Sequence, residues 1–413
     1  MVTMENNKDK ILNFTQWLIV VGILCGSRIE VLCLCIAIFL LFGSHKLLFS
    51  KNVAVIIGMI YILIISLITI FIYEYPLNKF IQQYLLIAVF LFGYSCYVYT
   101  IRDRIPDIFN KFVYIMKIAA VFGIIQYIIF YLSGVNIFKF IKPIGWTEWS
   151  QFRITSFLPC EPAKFAALLT PVLAYYLFGF KLGQKILPKV ILLTACFLTF
   201  SFTTEIILFI MLLGMTFRYY KKLFYFIPIC IILLFVFYSF SNFRGKDNLL
   251  ENSGQGSTAV TLYNTVTDFS LYNIEVLSQG NVSVYAITKN LWVALNSPSR
   301  MFGTGLGTHE FSHDRLIINS YTLASLNRED AYSLGIRIFS EFGLLGFLVL
   351  IIFMFKYSNF SNIINLSVFF LLLSYILRGG NYVGNGTIYF FYLYYFTSKN
   401  NTNKLYYSKY KRQ

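Results

Sequence analysis

Apolar residues run along this chain in long blocks, and short polar or basic stretches separate them. A helix needs about 20 residues to cross a bilayer, with a range of about 17–25. On that length the pattern predicts membrane helices over 11–26, 29–43, 53–73, 80–99, 112–132, 159–180, 190–202, 203–217, 223–240, 331–355, 360–377 and 384–398. Length alone leaves two regions open. Residues 11–43 read as one long helix or as a hairpin broken at Gly26-Ser27-Arg28, and 190–217 as one span or two short ones broken near Ser201–Glu205.

Charge decides both. Basic residues gather on the cytoplasmic side of membrane proteins. Lys8 and Lys10 must then share a side with Lys46 and Lys51, so an even number of crossings separates them. The clusters Lys181/Lys185/Lys189 and Arg218/Lys221/Lys222 make the same demand on 190–217. Arg102, Arg104 and Lys111, and the tail with Lys404, Lys409, Lys411 and Arg412, fit that frame. The expected fold is all-α, a polytopic membrane protein of about twelve helices with both termini cytoplasmic. Segments 133–158 and 242–330 are external loops within one membrane domain, 1–413. Each half of 190–217 is short for a span, so its turn lies below the outer surface. Irregular backbone at that depth is tolerated where protein buries it or where it lines a wet cavity. Glu205, at that turn, is a candidate catalytic group because intramembrane carboxylates are costly to keep.

The stretch Asn242–Asp330 stands apart. It lies between the apolar runs Leu223–Phe240 and Ala331–Phe355, is dense in Asn, Ser, Thr, Gly and charge, and holds His309 and His313. A long polar insert on one face of a helical membrane protein is where recognition or chemistry usually sits. Within it, Val284, Ile287, Leu291 and Leu295 recur at helical spacing, which predicts a helix lying on the membrane surface or roofing a cavity. The loop 133–158 carries two of the four tryptophans and leads into Pro159-Cys-Glu161-Pro162-Ala-Lys164, a helix start. Proline suits the first helical turn, and an acid beside it complements the positive helix end.

Composition confirms the membrane class. The 413 residues are 58% hydrophobic and 19% aromatic, with only 13% charged; soluble domains carry about 25% charged residues. The formal net charge of +16 is spread in clusters between apolar runs and forms no single patch, so nucleic acid is not an expected partner. The seven cysteines, Cys25, Cys33, Cys35, Cys96, Cys160, Cys196 and Cys230, contain no C-x-x-C pair, and neither a zinc site nor a disulfide framework is indicated. No cleavable signal peptide, internal repeat or P-loop is evident.

On the external side the sequence places Arg153, Glu161, Lys164, Arg244, Arg300, His309, Glu310, His313, Asp314, Arg315, Arg328, Glu329, Asp330 and, one turn into the next helix, Arg337. Guanidinium groups offer a permanently charged donor fork that suits pyrophosphate, and His, Asp or Glu can take a proton. Gly303-Thr-Gly305-Leu-Gly307 lacks the spacing and the strand context of a nucleotide fingerprint. His309-Glu310-Phe-Ser-His313 does spell H-E-x-x-H. It follows a glycine turn, however, and has no third ligand on a downstream helix, so no metal is expected there.

Four stretches together resemble the bacterial O-antigen and capsule repeat-unit polymerases (the Wzy family), relatives of the O-antigen ligases. They are Arg153-Ile-Thr-Ser-Phe-Leu-Pro-Cys-Glu161-Pro162-Ala163-Lys164-Phe165-Ala166, Ser201-Phe-Thr-Thr, Met301-Phe302-Gly303-Thr-Gly305-Leu-Gly307, and Asp330-Ala-Tyr332-Ser333 leading to Glu341-Phe-Gly343-Leu-Leu-Gly346. The ligases carry a His-Asn pair where Tyr332-Ser333 falls, and that departure points to polymerase. The resemblance implies a glycosyltransferase of the bacterial cytoplasmic membrane without a cofactor. It would polymerise undecaprenyl-pyrophosphate-linked oligosaccharide on the outer face, beside a flippase and a chain-length regulator. Candidate catalytic residues are Glu161, Glu205, His309, His313 and Asp330. Candidate substrate-binding residues are Arg153, Lys164, Arg244, Arg300, Arg315, Arg328 and Arg337. A flippase or transporter of such lipids, and a ligase, are the alternatives.

Overall fold

The computed structural model describes residues 2–44, 53–138, 152–179, 186–218, 267–278, 282–317, 323, 325–379 and 381–399. Among them the chain is all-helical. In order the helices are α1 (Val2–Cys25), α2 (Ser27–Ser44), α3 (Val53–Tyr73), α4 (Leu77–Thr100), α5 (Ile105–Ser133), α6 (Pro162–Phe178), α7 (Ile186–Leu198) and α8 (Phe202–Arg218). They continue as α9 (Leu271–Ser278), α10 (Val282–Leu295), α11 (His309–Leu316), α12 (Leu334–Lys356), α13 (Ile363–Leu377) and α14 (Thr387–Lys399). Eleven of the twelve expected membrane segments coincide with a helix; the twelfth, 223–240, lies outside the described residues, as does Arg244. Both ambiguous regions are two helices, and α1 packs along α2 as a hairpin. Gly26 breaks α1 from α2 at φ +94, and the chain turns between α7 and α8 at Thr199–Ser201, with Phe200 at φ +48.

Among the described residues four helices are long and apolar enough to cross a bilayer: α3, α4, α5 and α12. Others are shorter. α6 and α8 have 17 residues each, α13 has 15, and α7 and α14 have 13. At about 1.5 Å per residue these reach roughly 20–26 Å, less than a hydrocarbon core of about 30 Å.

The short helices end together. α6 is central, packed against α5, α7, α8 and α13, and nearly every one of its residues is buried. Its internal Pro171 has no N–H to give the Ala167 carbonyl, and the Thr170 hydroxyl donates to that carbonyl instead, at 2.7 Å. Gly123 of α5 packs on Ile154 and Phe165, so α6 begins about ten residues, roughly 15 Å, below the C-terminal end of α5. At the same level Gly379, after α13, meets the Lys164 side chain. Gly384 meets Ser27, Gly386 meets Ile23, and the Ile154 N–H donates to the Leu198 carbonyl at 3.3 Å. The facing ends of α1/α2, α6, α7/α8 and α13/α14 thus form one layer inside the bundle.

Glu30 lies in that layer, 1% exposed. Its carboxyl accepts from the Tyr94 hydroxyl at 2.6 Å and from the Gly386 N–H at 3.1 Å. The segment 152–161 is pinned to α5. Gln126 of α5 accepts from the backbone N–H groups of Thr155 (3.1 Å) and Ser156 (2.8 Å) and donates to Asn136 (3.1 Å).

Candidate functional site

The glycine motif has a structural job that the sequence did not disclose. α12 is broken at Gly343, whose φ of 64° and ψ of −165° are non-helical. In an unbroken helix the Ser340 and Glu341 carbonyls would receive the N–H groups of Leu344 and Leu345. Here they receive Thr304 N–H (3.2 Å) and Gly305 N–H (2.8 Å), while Leu344 and Leu345 donate to the carbonyls of Arg300 (2.9 Å) and Met301 (3.2 Å). The segment 300–305 and the break exchange hydrogen bonds one for one, so no backbone polar group is stranded by the kink. The exchange requires contact of backbone on backbone. A Cβ at Gly303 would overlap the Glu341 carbonyl, and one at Gly343 the Met301 carbonyl. Gly305 lies against Ser66 and Thr69 of α3, and the Leu306 N–H donates to the Ser66 hydroxyl at 2.9 Å.

This clasp sets the N-terminal half of α12 against α10, α11 and α4. Ser333 caps the helix, accepting from Ile336 N–H at 3.1 Å. One turn on, Arg337 is 3% exposed. Its Nε donates to Glu341 at 3.0 Å, one terminal nitrogen to Gln83 at 2.9 Å and the other to Asn381, while the group lies 4.6 Å over the Tyr382 ring. All three nitrogens are engaged, which makes Arg337 a fold-holding group.

His309 is fully buried between Asn290 and Ser340. The Asn290 amide nitrogen donates to the Ala286 carbonyl at 2.8 Å, so its oxygen faces the ring. His309 Nε2 therefore carries the proton and donates to Asn290 at 3.0 Å, and Nδ1 accepts from the Ser340 hydroxyl at 2.9 Å. Burial, then the Arg337, His313 and Lys289 charges, hold the ring well below its ordinary value and neutral. With both nitrogens committed, His309 has no lone pair to share with His313, whose ring centroid is 6.5 Å away. The H-E-x-x-H spacing is met without zincin geometry. Its Glu310 instead takes Lys79 at 2.7 Å and Arg328 at 2.9 Å.

His313 differs. It is 2% exposed, and neither ring nitrogen has a hydrogen-bond partner. The nearest acid, Asp314, lies 3.6 Å from Nδ1, too far for a hydrogen bond. Burial and the Lys289 charge push its pKa down to about 4, against the pull of Asp314. A buried ring left unpaired costs about 1–3 kcal/mol per group, so it calls for an explanation beyond packing.

α10 confirms the expected helix and corrects its buried face. The apolar positions Val284, Ile287 and Leu295 are only partly buried and Leu291 is exposed; the buried face carries Tyr285, Ala286, Lys289, Asn290, Val293 and Ala294. Polar partners on α11 and the following loop outweigh the apolar stripe. Lys289, 1% exposed, donates to the carbonyls of Leu323 (3.3 Å) and Leu326 (2.8 Å), and burial lowers its pKa to about 8. It pins a strained loop in which Leu323, Asn327, Ala331 and Tyr332 all have positive φ.

The remaining expected residues fall in distinct places. Asp330 accepts from Asn327 (2.9 Å) and Tyr332 N–H (3.1 Å), shaping that loop. Arg315 donates to the Tyr73 carbonyl at 2.6 Å, and Arg328 bridges Glu310 and Asp314. Arg300 is exposed, and its carbonyl serves the clasp. Arg153 donates to the Thr199 carbonyl at 2.8 Å, at the α7–α8 turn, and Glu205 lies beyond that turn in the first turn of α8. Glu161 stands at the N-cap of α6 without capping it, 3.9 Å from Lys164, and no ion pair joins it to Arg153. Sequence reasoning missed Arg378. It follows α13, lies 5.0 Å over the Tyr332 ring and donates to Ser283 at 3.2 Å. A lone arginine after an apolar run gives no local signal. No family model, curated protein or solved structure matches the chain.

Proposed function

We propose that this chain is a polytopic membrane glycosyltransferase that polymerises undecaprenyl-pyrophosphate-linked oligosaccharide repeats. Its twelve helices cross the bacterial cytoplasmic membrane with both termini inside, and the α9–α11 region lies on the outer face. The observation that carries the reading is convergence. Stretches 153–166, 201–204, 301–307 and 330–346, chosen from sequence for their resemblance to the polymerases, meet at one end of the bundle. Ile154 pairs with Leu198 beside the 199–201 turn, Lys164 meets Gly379, Gly379 N–H donates to the Tyr332 carbonyl at 2.8 Å, and Gly303 clasps Gly343. Stretches spread over nearly 200 residues thus come together, as the parts of one site would.

In the proposed reaction an acceptor sugar hydroxyl attacks the anomeric carbon of the donor glycan. The bond from that carbon to the pyrophosphate oxygen breaks, and the lipid pyrophosphate leaves with the electron pair. The hydroxyl proton passes to His313, which is neutral, buried and has an uncommitted nitrogen. Cells lacking the chain should display single repeats and no ladder when surface polysaccharide is sized on a gel. A normal ladder with loss of some other transported solute would replace this reading with transport.

His313 also sets a pH dependence. Its folded pKa, about 4, lies below the ordinary value of 6.5, so between these the unfolded chain binds a proton that the native chain does not. The stability tied to its neutral form is complete above about pH 6.5 and is lost as pH falls toward about 4. Polymerisation in isolated membranes should stay flat from pH 8 to about 6 and fall only toward about 4. His313→Gln should abolish the ladder at normal protein level. An acid limb centred near 6.5 would remove His313 from the mechanism.

A further inference from the structure

Most cations near the convergent layer are spoken for. Arg337 gives every nitrogen to protein oxygens, Arg328 bridges two carboxylates, Arg315 holds a backbone carbonyl, Lys79 holds Glu310, and Lys289 holds two carbonyls. Two are not. Lys164, in the first turn of α6, has its closest acid at 3.9 Å and is 24% exposed. Arg378 uses one terminal nitrogen on Ser283, and its planar group rests on Tyr332.

These two are neighbours. The Lys164 side chain passes beside Gly379, the residue after Arg378, and a Cβ at Gly379 would meet nothing within 4 Å except Lys164 Cγ at 3.7 Å. Lys164 lies at the start of α6, where Pro162 occupies the first turn and Glu161 stands at the N-cap without making a capping hydrogen bond. Arg378 is held in place from both sides. The Gly379 N–H binds the Tyr332 carbonyl, and Tyr332 keeps its positive φ of 67° in the loop that Asp330 and Lys289 fix. A guanidinium stacked on an aromatic ring with donors still unused, a half-buried ammonium and an uncapped helix start all favour an anion with several oxygens.

We propose that Lys164 and Arg378 bind a diphosphate, and that Arg315, Arg328 and Arg337 serve the fold instead. Under the proposed function this is the pyrophosphate of the lipid-linked glycan; the cation pair itself does not depend on that reading. Arg378 supplies the directional fork and Lys164 the point charge.

The test uses the full chain in nanodiscs of neutral phosphatidylcholine, titrated calorimetrically with inorganic pyrophosphate and, separately, with farnesyl pyrophosphate. Saturable binding of either is expected. Preference for the prenyl form identifies a lipid-borne ligand, and equal binding identifies the diphosphate alone as the determinant. Lys164→Gln and Arg378→Gln should each weaken binding at least about tenfold, and the double variant should not bind. Arg102→Gln, on the 3₁₀ turn before α5, should bind like wild type. Arg378→Lys keeps the charge and loses the fork; it should weaken binding several-fold, and it stands in if the glutamine variant does not fold. Failure of the wild type to bind either ligand, or wild-type affinity in the folded double variant, overturns the assignment. The outcome separates from the glycan assay. A ladder that survives deletion while the purified chain binds through this pair sinks the polymerase reading and leaves the site. A lost ladder with undiminished binding by the double variant does the reverse.

Discussion

Gly343→Ala should leave little folded protein in the membrane. The residue sits at φ 64°, ψ −165°, a region that glycine alone occupies readily, and an added Cβ would overlap the Met301 carbonyl. Backbone strain of about 1–3 kcal/mol is only the start. Relieving the overlap must pull 300–305 away from the break. That strands the Ser340 and Glu341 carbonyls and the Leu344 and Leu345 N–H groups, each at about 1–3 kcal/mol if buried. The sum rivals a total stability of about 5–15 kcal/mol. Gly303→Ala should behave alike, because it meets the same clasp from the other side. Gly58→Ala is the contrast. Gly58 lies inside α3 with nothing within 4 Å of an added Cβ, and alanine there should raise helix stability by about 0.5–1 kcal/mol. The measurement is the yield of monodisperse protein in mild detergent and its melting temperature. If Gly343→Ala melts like Gly58→Ala, the clasp does not hold the fold.

Breaking the Arg337–Glu341 pair should be almost as costly, and mending it by removing both partners should recover much of the loss. Arg337 is 3% and Glu341 0% exposed. Arg337→Met leaves a buried carboxylate without its cation and strips a donor from both Gln83 and Asn381. Losses of about 3–5 kcal/mol follow when one partner of such a pair is removed. In Arg337→Met/Glu341→Leu no charge is stranded, so the double variant should melt well above either single one. A double-mutant cycle on melting free energies reads this directly. Additivity of the two losses to within about 0.5 kcal/mol would mean the pair is uncoupled.

The helices were legible because each apolar block is bounded by charge or by a breaker such as Gly26. The basic clusters flanking 190–217 demand a break that length alone leaves open, and α7 and α8 are separate helices. The site was legible only in outline. Arg153, Glu161, Lys164 and the histidines stand out in their loops, but their partners do not, because the pairing is non-local. Gln83 meets Arg337 across 254 positions, and the Ser66 hydroxyl meets Leu306 across 240. Lys289 and Asn290 were hidden by an apolar stripe that turned out to be the outward face of its helix. The glycines were seen as a motif, but their reason, a second backbone pressed against them, exists only once α12 is broken.

Glu30 imposes an order on assembly. Its carboxyl is completed by Gly386, 356 positions later, and by Tyr94, 64 positions later. Synthesis at about 5–20 residues per second separates Glu30 from Gly386 by roughly 20–70 s. Through that interval the first hairpin holds an acidic group whose final donor has not been made. The newborn N-terminal half must keep that group wet, protonated or shielded by other proteins until α14 arrives. The start of α14 thus seals the α1–α2 hairpin.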